Sequence, residues 1–145
     1  MPMGKSIKPA KQAMPASPNF AKLGEDFLQA ARFINEDFMG VPKWPTYNAA
    51  FEALENFLKA YLLLKGATLE HVQDELGHRL RVALSEAKEK GLVLKVDPSV
   101  ENAVMSASDY YTDRQSRYSS SGEWSLVPPH SVIVFVDQVQ RDARL

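Results

Sequence analysis

Apolar positions recur along this chain at steps of three and four, the helical period, and one stretch carries the pattern to an extreme. Between Pro45 and Gly66 (PTYNAAFEALENFLKAYLLLKG), Phe51, Leu54, Leu58 and Leu62 form one stripe, and Ala50, Phe57, Tyr61 and Leu64 form a second beside it. Asn48, Glu52, Glu55 and Lys59 make up the polar strip that remains. A helix apolar over most of its circumference predicts a central place in a bundle, contacted from several sides. Thr46 is expected to cap its start and Gly66, just past Lys65, to end it. Glu55 and Lys59 stand four apart with the acid first, the better order for an intrahelical pair along the remaining polar strip.

The same spacing predicts helices on either side. Phe20, Leu23, Phe27, Ala30 or Ala31, Ile34 and Phe38 mark one from residue 19 to about 39, ended by Gly40-Val41-Pro42. Lys43-Trp44-Pro45 reads as a short extended link, because the prolines around it disfavour helix. After the central helix, Thr68 can cap a short helical turn over residues 69–76, and Gly77 allows a change of direction. Helix resumes over residues 78–90 with Leu80, Ala83, Leu84 and Ala87 as its buried edge, and Gly91 stops it. Asp97-Pro98 pairs a capping residue with a proline at the first helical position. The helix it opens carries Val100, Val104, Ala107, Tyr111, Arg114 and Tyr118 on one face. Residues 131–136 (SVIVFV) are β-branched enough for a strand, yet a lone strand would have no partner. Val132, Phe135, Val136, Val139 and Ala143 keep helical spacing, so a last helix over residues 131–143 is expected.

The pattern therefore predicts an all-α, up-and-down helical bundle of four to five helices over residues 19–145. Residues 1–18 hold prolines and lysines but no acid, and are expected to form a disordered arm that either touches phosphates or is only a leader. At 145 residues the chain has the size of one domain. It has no cysteine, which removes disulfide and thiolate chemistry and suits a reducing, cytoplasmic compartment. A formal charge of −1 gives no global field toward nucleic acid or membrane, so such contacts need a local patch. No membrane span, signal peptide, phosphate loop or nucleophile elbow is visible, and no cofactor is implied.

Candidate chemistry falls in three places. Tyr110, Tyr111, Arg114, Arg117 and Tyr118 form a cluster in which arginine forks could grip phosphate and tyrosine faces could stack bases, an RNA or nucleotide contact. Asp109 and Asp113 sit among them and could instead absorb the arginines in ion pairs, leaving a structural or dimer-interface role. His78 could transfer a proton, or its ring could be held by backbone or by a carboxylate such as Glu55. His71, Glu75 and His78 would share a face only if helix ran unbroken through Gly77, and no metal site is expected of them. Glu52 and Glu55 share a face as an acid/base pair might, or as an ion-paired strip.

The run Ala53-Leu54-Glu55-Asn56-Phe57-Leu58-Lys59-Ala60-Tyr61-Leu62, then Gly66, Gly77-His78-Arg79-Leu80 and Leu84, and finally Arg117-Tyr118, resembles the HEPN superfamily of helical-bundle proteins. The resemblance implies a four- or five-helix bundle, commonly a homodimer, linked to RNA cleavage in toxin–antitoxin and defence systems or to nucleotidyltransferase-like partners. Catalytic members carry an arginine followed a few residues later by a histidine, and no arginine of this chain has a histidine at that distance. A non-catalytic module that dimerises and binds RNA, a nucleotide or a partner protein is therefore expected. The alternatives are a divergent ribonuclease, with Arg114 or Arg117 at the phosphate and His78, Tyr118 or His130 as base, and a helical adaptor without any nucleic-acid role.

Overall fold

In a computed structural model, which describes residues 16–37, 43–112 and 127–145, five α-helices pack around one another. They are α1 (Ala16–Asp37), α2 (Lys43–Leu64), α3 (Leu80–Glu89), α4 (Pro98–Thr112) and α5 (Pro129–Asp142), with a π-helical turn at His71–Glu75. No strand occurs among the described residues, and residues 131–136 are helical. The β-branched run is accommodated because Val132, Ile133, Phe135, Val136 and Val139 are all buried, so packing overrides strand propensity.

α2 is the axis of the fold and touches every other helix. Ten consecutive residues, 53–62, are buried, so nearly three turns have no face to solvent. The helix begins earlier than its sequence signals indicate: Lys43 and Trp44 are helical and Thr46 lies buried inside the first turn instead of capping it. Pro45 is harmless there, because the first backbone N–H groups of a helix have no intrahelical acceptor. The same reason puts Pro18 in the first turn of α1, so residues 16–18, expected in the arm, join the bundle; Ser17 is buried and its Oγ donates to the Ala60 carbonyl at 2.8 Å.

The buried positions of α1 are Ser17, Gly24, Leu28 and Ala31, a face rotated from the expected stripe, of which Ala31 is buried, Phe27 packs partly buried against the core and Leu23 is 46% exposed. Gly24 accounts for the rotation. A Cβ at that position would lie 2.6 Å from the Phe57 ring, so only the bare backbone lets the two helices approach there.

Directions follow from pairings. Ser17 meets Ala60 and Gly24 meets Phe57, so α1 runs opposite to α2. Arg81 meets Asp109 and Lys88 meets Glu101, so α3 and α4 are antiparallel. Arg32 meets Asp137 and Glu25 meets Gln140, so α5 is antiparallel to α1. The junction from α2 to α3 differs from this alternation. His78 contacts Glu55 while Tyr61 contacts the Lys90 carbonyl, so residues 65–79 carry the chain back and α3 runs in the same sense as α2. Gly77, at φ +53°, makes the turn before α3.

Consequently α2, α3 and α5 all finish at one end of the bundle. Each closes with paired backbone bonds that cover its last carbonyls: Ala67 N to Leu62 O and Gly66 N to Leu63 O; Leu92 N to Ala87 O and Gly91 N to Lys88 O; Leu145 N to Gln140 O and Arg144 N to Arg141 O. Gly66 and Gly91 supply the left-handed residue at two of these ends, and Arg144, at φ +59°, supplies it at the third.

Candidate functional site

Midway along α2 the core closes over a cluster of polar side chains. Glu55 is 6% and Lys59 7% exposed, and Lys59 Nζ donates to Glu55 Oε2 at 2.8 Å. The expected pair thus forms, within the core instead of along a solvated strip. Glu55 Oε1 accepts from His78 Nδ1 at 2.7 Å and from the Tyr111 hydroxyl at 3.0 Å. Tyr111 also donates to Glu52. The Lys59 ammonium lies 5.9 Å above the Phe20 ring of α1. The cluster therefore draws on α1, α2, the segment before α3 and α4, which is how two charges are held where either alone would cost on the order of several kcal/mol in desolvation.

Burial, then the charges of Glu55 and Glu52, push the Tyr111 hydroxyl far above its ordinary range, so it stays protonated and acts as a donor. Tyr111 is fully buried, its ring 5.8 Å from Phe51 and edge-on to His78 at 6.2 Å. The expected ligand-binding role for Tyr111 is accordingly not available to this side chain as placed: no ring face is presented to a base. His78 is only partly buried, and its backbone carbonyl accepts from Thr112 Oγ1 at 3.0 Å. The imidazole is the part of the cluster nearest solvent, and its Nδ1 must carry a proton for the bond to Glu55.

Arg114, Arg117 and Tyr118 lie outside the described residues. Asp109, one of the acids expected to absorb those arginines, is engaged by Arg81 of α3, with Nε to Oδ1 at 3.0 Å. His130 is exposed in the first turn of α5. His71 sits in the π-helical turn, Nδ1 2.6 Å from Glu75 and Nε2 2.7 Å from Glu86 of α3. The Glu86 bond foremost, with Glu75 second, raises the His71 pKa, since the doubly protonated ring satisfies both carboxylates. His71 and His78 thus face different acids, and among the described residues no group of three histidine, aspartate or glutamate side chains is placed to hold a metal.

A second region carries no signal in the sequence pattern. At the end where α2, α3 and α5 finish, a groove of about 560 Å³ is lined by Lys65, Lys95, Arg141 and Arg144, with Leu64 and Val93 beside them. These residues are scattered over 80 positions of sequence, and only the return of the chain before α3 brings them together.

Fold and site together define an all-α bundle with an acid-centred polar core and a cationic groove at one end. Among the described residues no helix is long and apolar enough to cross a membrane. In comparison with known proteins, no family model, curated protein or solved structure matches the chain.

Proposed function

We propose that this chain is a non-catalytic, HEPN-like binding module that dimerises and recognises RNA, a nucleotide or a partner protein in the cytoplasm, in a toxin–antitoxin or defence context. The observation that carries the non-catalytic half is the saturation of Glu55. Three donors from three different elements occupy its two oxygens, so the acid and base candidates of α2 are engaged in holding helices together. A general base needs a lone pair directed at substrate, and Glu55 has its strongest acceptor directions taken. The absence of an arginine followed closely by histidine supports the same reading. Binding is supported by the cationic groove, which gathers four positive side chains in a chain of net charge −1 that has no general attraction for anions.

A second reading has one observation in its favour. His78 is backed by a buried carboxylate and remains partly accessible, an arrangement that orients an imidazole for proton transfer in a divergent ribonuclease. Incubating purified protein with bulk RNA, beside His78→Gln and an Arg114→Ala/Arg117→Ala double variant, separates the two. The binding reading expects intact RNA in all three samples. Cleavage by the wild type that both variants lose would replace it with the enzyme.

A further inference from the structure

We propose that the groove at the shared end of α2, α3 and α5 binds a nucleoside polyphosphate, with phosphates against Lys65, Lys95, Arg141 and Arg144 and the base against Leu64 and Val93. This deepens the binding reading above and rests on it. The groove's volume of about 560 Å³ falls inside the ~300–1,000 Å³ range of small-ligand pockets.

The cations are available. Helix C-termini attract lysine and arginine, so their gathering alone needs no ligand. Here, however, carbonyls of all three closing turns already accept backbone N–H groups, and the Lys90 carbonyl accepts from the Tyr61 hydroxyl, so none of these bonds draws on a cationic side chain. Asp142, the only acid among the described residues lining the groove, has Oδ2 bonded to Lys95 N at 2.8 Å and Oδ1 bonded to Gln138 Nε2 at 2.9 Å. Arg141 gives its Nε to Asp137 and keeps its other N–H groups. Among the described residues, Lys65, Lys95 and Arg144 have no carboxylate at ion-pair distance, and Lys65 instead lies 5.4 Å above the Tyr61 ring.

Two further features select the ligand class. Val93 and Leu64, at 72% and 60%, are the most exposed large apolar side chains among the described residues, and both border this groove. A ligand with an apolar flat end and a polyanionic end matches that arrangement, whereas a bare polyphosphate would leave the apolar rim wet. Arg144, for its part, occupies a left-handed position where the equivalent residues, Gly66 and Gly91, are glycine. An arginine held at a conformation that costs it energy is one kept for its side chain.

Calorimetric titration of the full chain with ATP, tripolyphosphate and adenosine tests the site, together with Arg144→Gly and Lys95→Gln. ATP is expected to bind more tightly than tripolyphosphate, and adenosine most weakly. Arg144→Gly is expected to raise the melting temperature while weakening ATP about tenfold, the scale of one lost charge-assisted contact; Lys95→Gln weakens it comparably. Loss of affinity with a gain in stability cannot come from misfolding. Wild type that ignores millimolar ATP, variants that bind ATP as wild type does, or adenosine binding as well as ATP would each overturn the proposal. A short single-stranded RNA is titrated in parallel: RNA bound while ATP is not removes this site and spares the general binding reading, and neither bound removes this site together with the RNA and nucleotide forms of that reading.

Discussion

Midway along α2 and at its C-terminal end, the same helix carries charged side chains in opposite circumstances. Glu55 and Lys59 are enclosed and paired with each other, and Glu55 is answered further by His78 and Tyr111 from neighbouring elements. Lys65, six positions on, is exposed, and among the described residues its ammonium has an aromatic face, not a carboxylate, for company. Residue type and helical spacing thus say little about a charge until the surrounding elements are known. In the middle, polar groups act as ties between four elements; at the end, they remain open to an outside anion.

The sharpest way to break this contrast is a matched pair of substitutions. Lys59→Met strands Glu55 in the core and should cost roughly 3–5 kcal/mol, the range for removing one partner of a buried pair. Lys65→Met should stay within about 0.5 kcal/mol, as surface changes do. Urea unfolding of both variants checks this, and equal costs would erase the distinction. Next in size, Gly24→Ala presses a methyl group on Phe57 and should destabilise by about 1–3 kcal/mol, with ligand binding at the far groove residues unchanged once the variant is folded. Tyr111→Phe removes the hydroxyl donor shared by Glu52 and Glu55, and about 1–2 kcal/mol is expected from the same unfolding measurement; a gain in stability would mean that the network is not the tie described.

The smallest effect concerns His71. Its pKa is raised in the fold by Glu86 and Glu75, so the stability it contributes is fully present below the ordinary histidine value of 6.5 and is lost as pH rises through the higher folded value. Melting temperatures measured from acid to mildly alkaline pH should decline more in wild type than in His71→Gln. Parallel curves would show that the clasp contributes nothing.

Much of the architecture is legible in residue order alone. The glycine stops at Gly66 and Gly91, the Asp97 cap, whose Oδ1 accepts from Ser99 N at 2.8 Å, and the buried edges of α3 and α5 are all local signals. His78 on Glu55 is among the pairings that the residue pattern allows. What escapes depends on contacts distant in sequence. Nothing near Gly24 says that Phe57 will rest on it, and so local spacing points to a face of α1 one residue away from the buried one. Prolines read as breakers because their place in the first turn is visible only when the turn exists. Tyr111, on the correct helical face, reads as a recognition residue until two glutamates of α2 claim its hydroxyl. The cationic groove has no sequence signal, since its members belong to three stretches far apart in the chain.

The seam between α1 and α5 carries a consequence for the order of events in folding. Arg32 and Asp137 are 105 positions apart, and Glu25 and Gln140 are 115 apart. A nascent polypeptide emerging from the ribosome can therefore pair α1 with α2 early, as a hairpin of neighbours, while the other flank of α1 waits in water until α5 has been made. Closing so large a loop is entropically slow, and α5 acts as a latch that shuts after α1 and α2 have met.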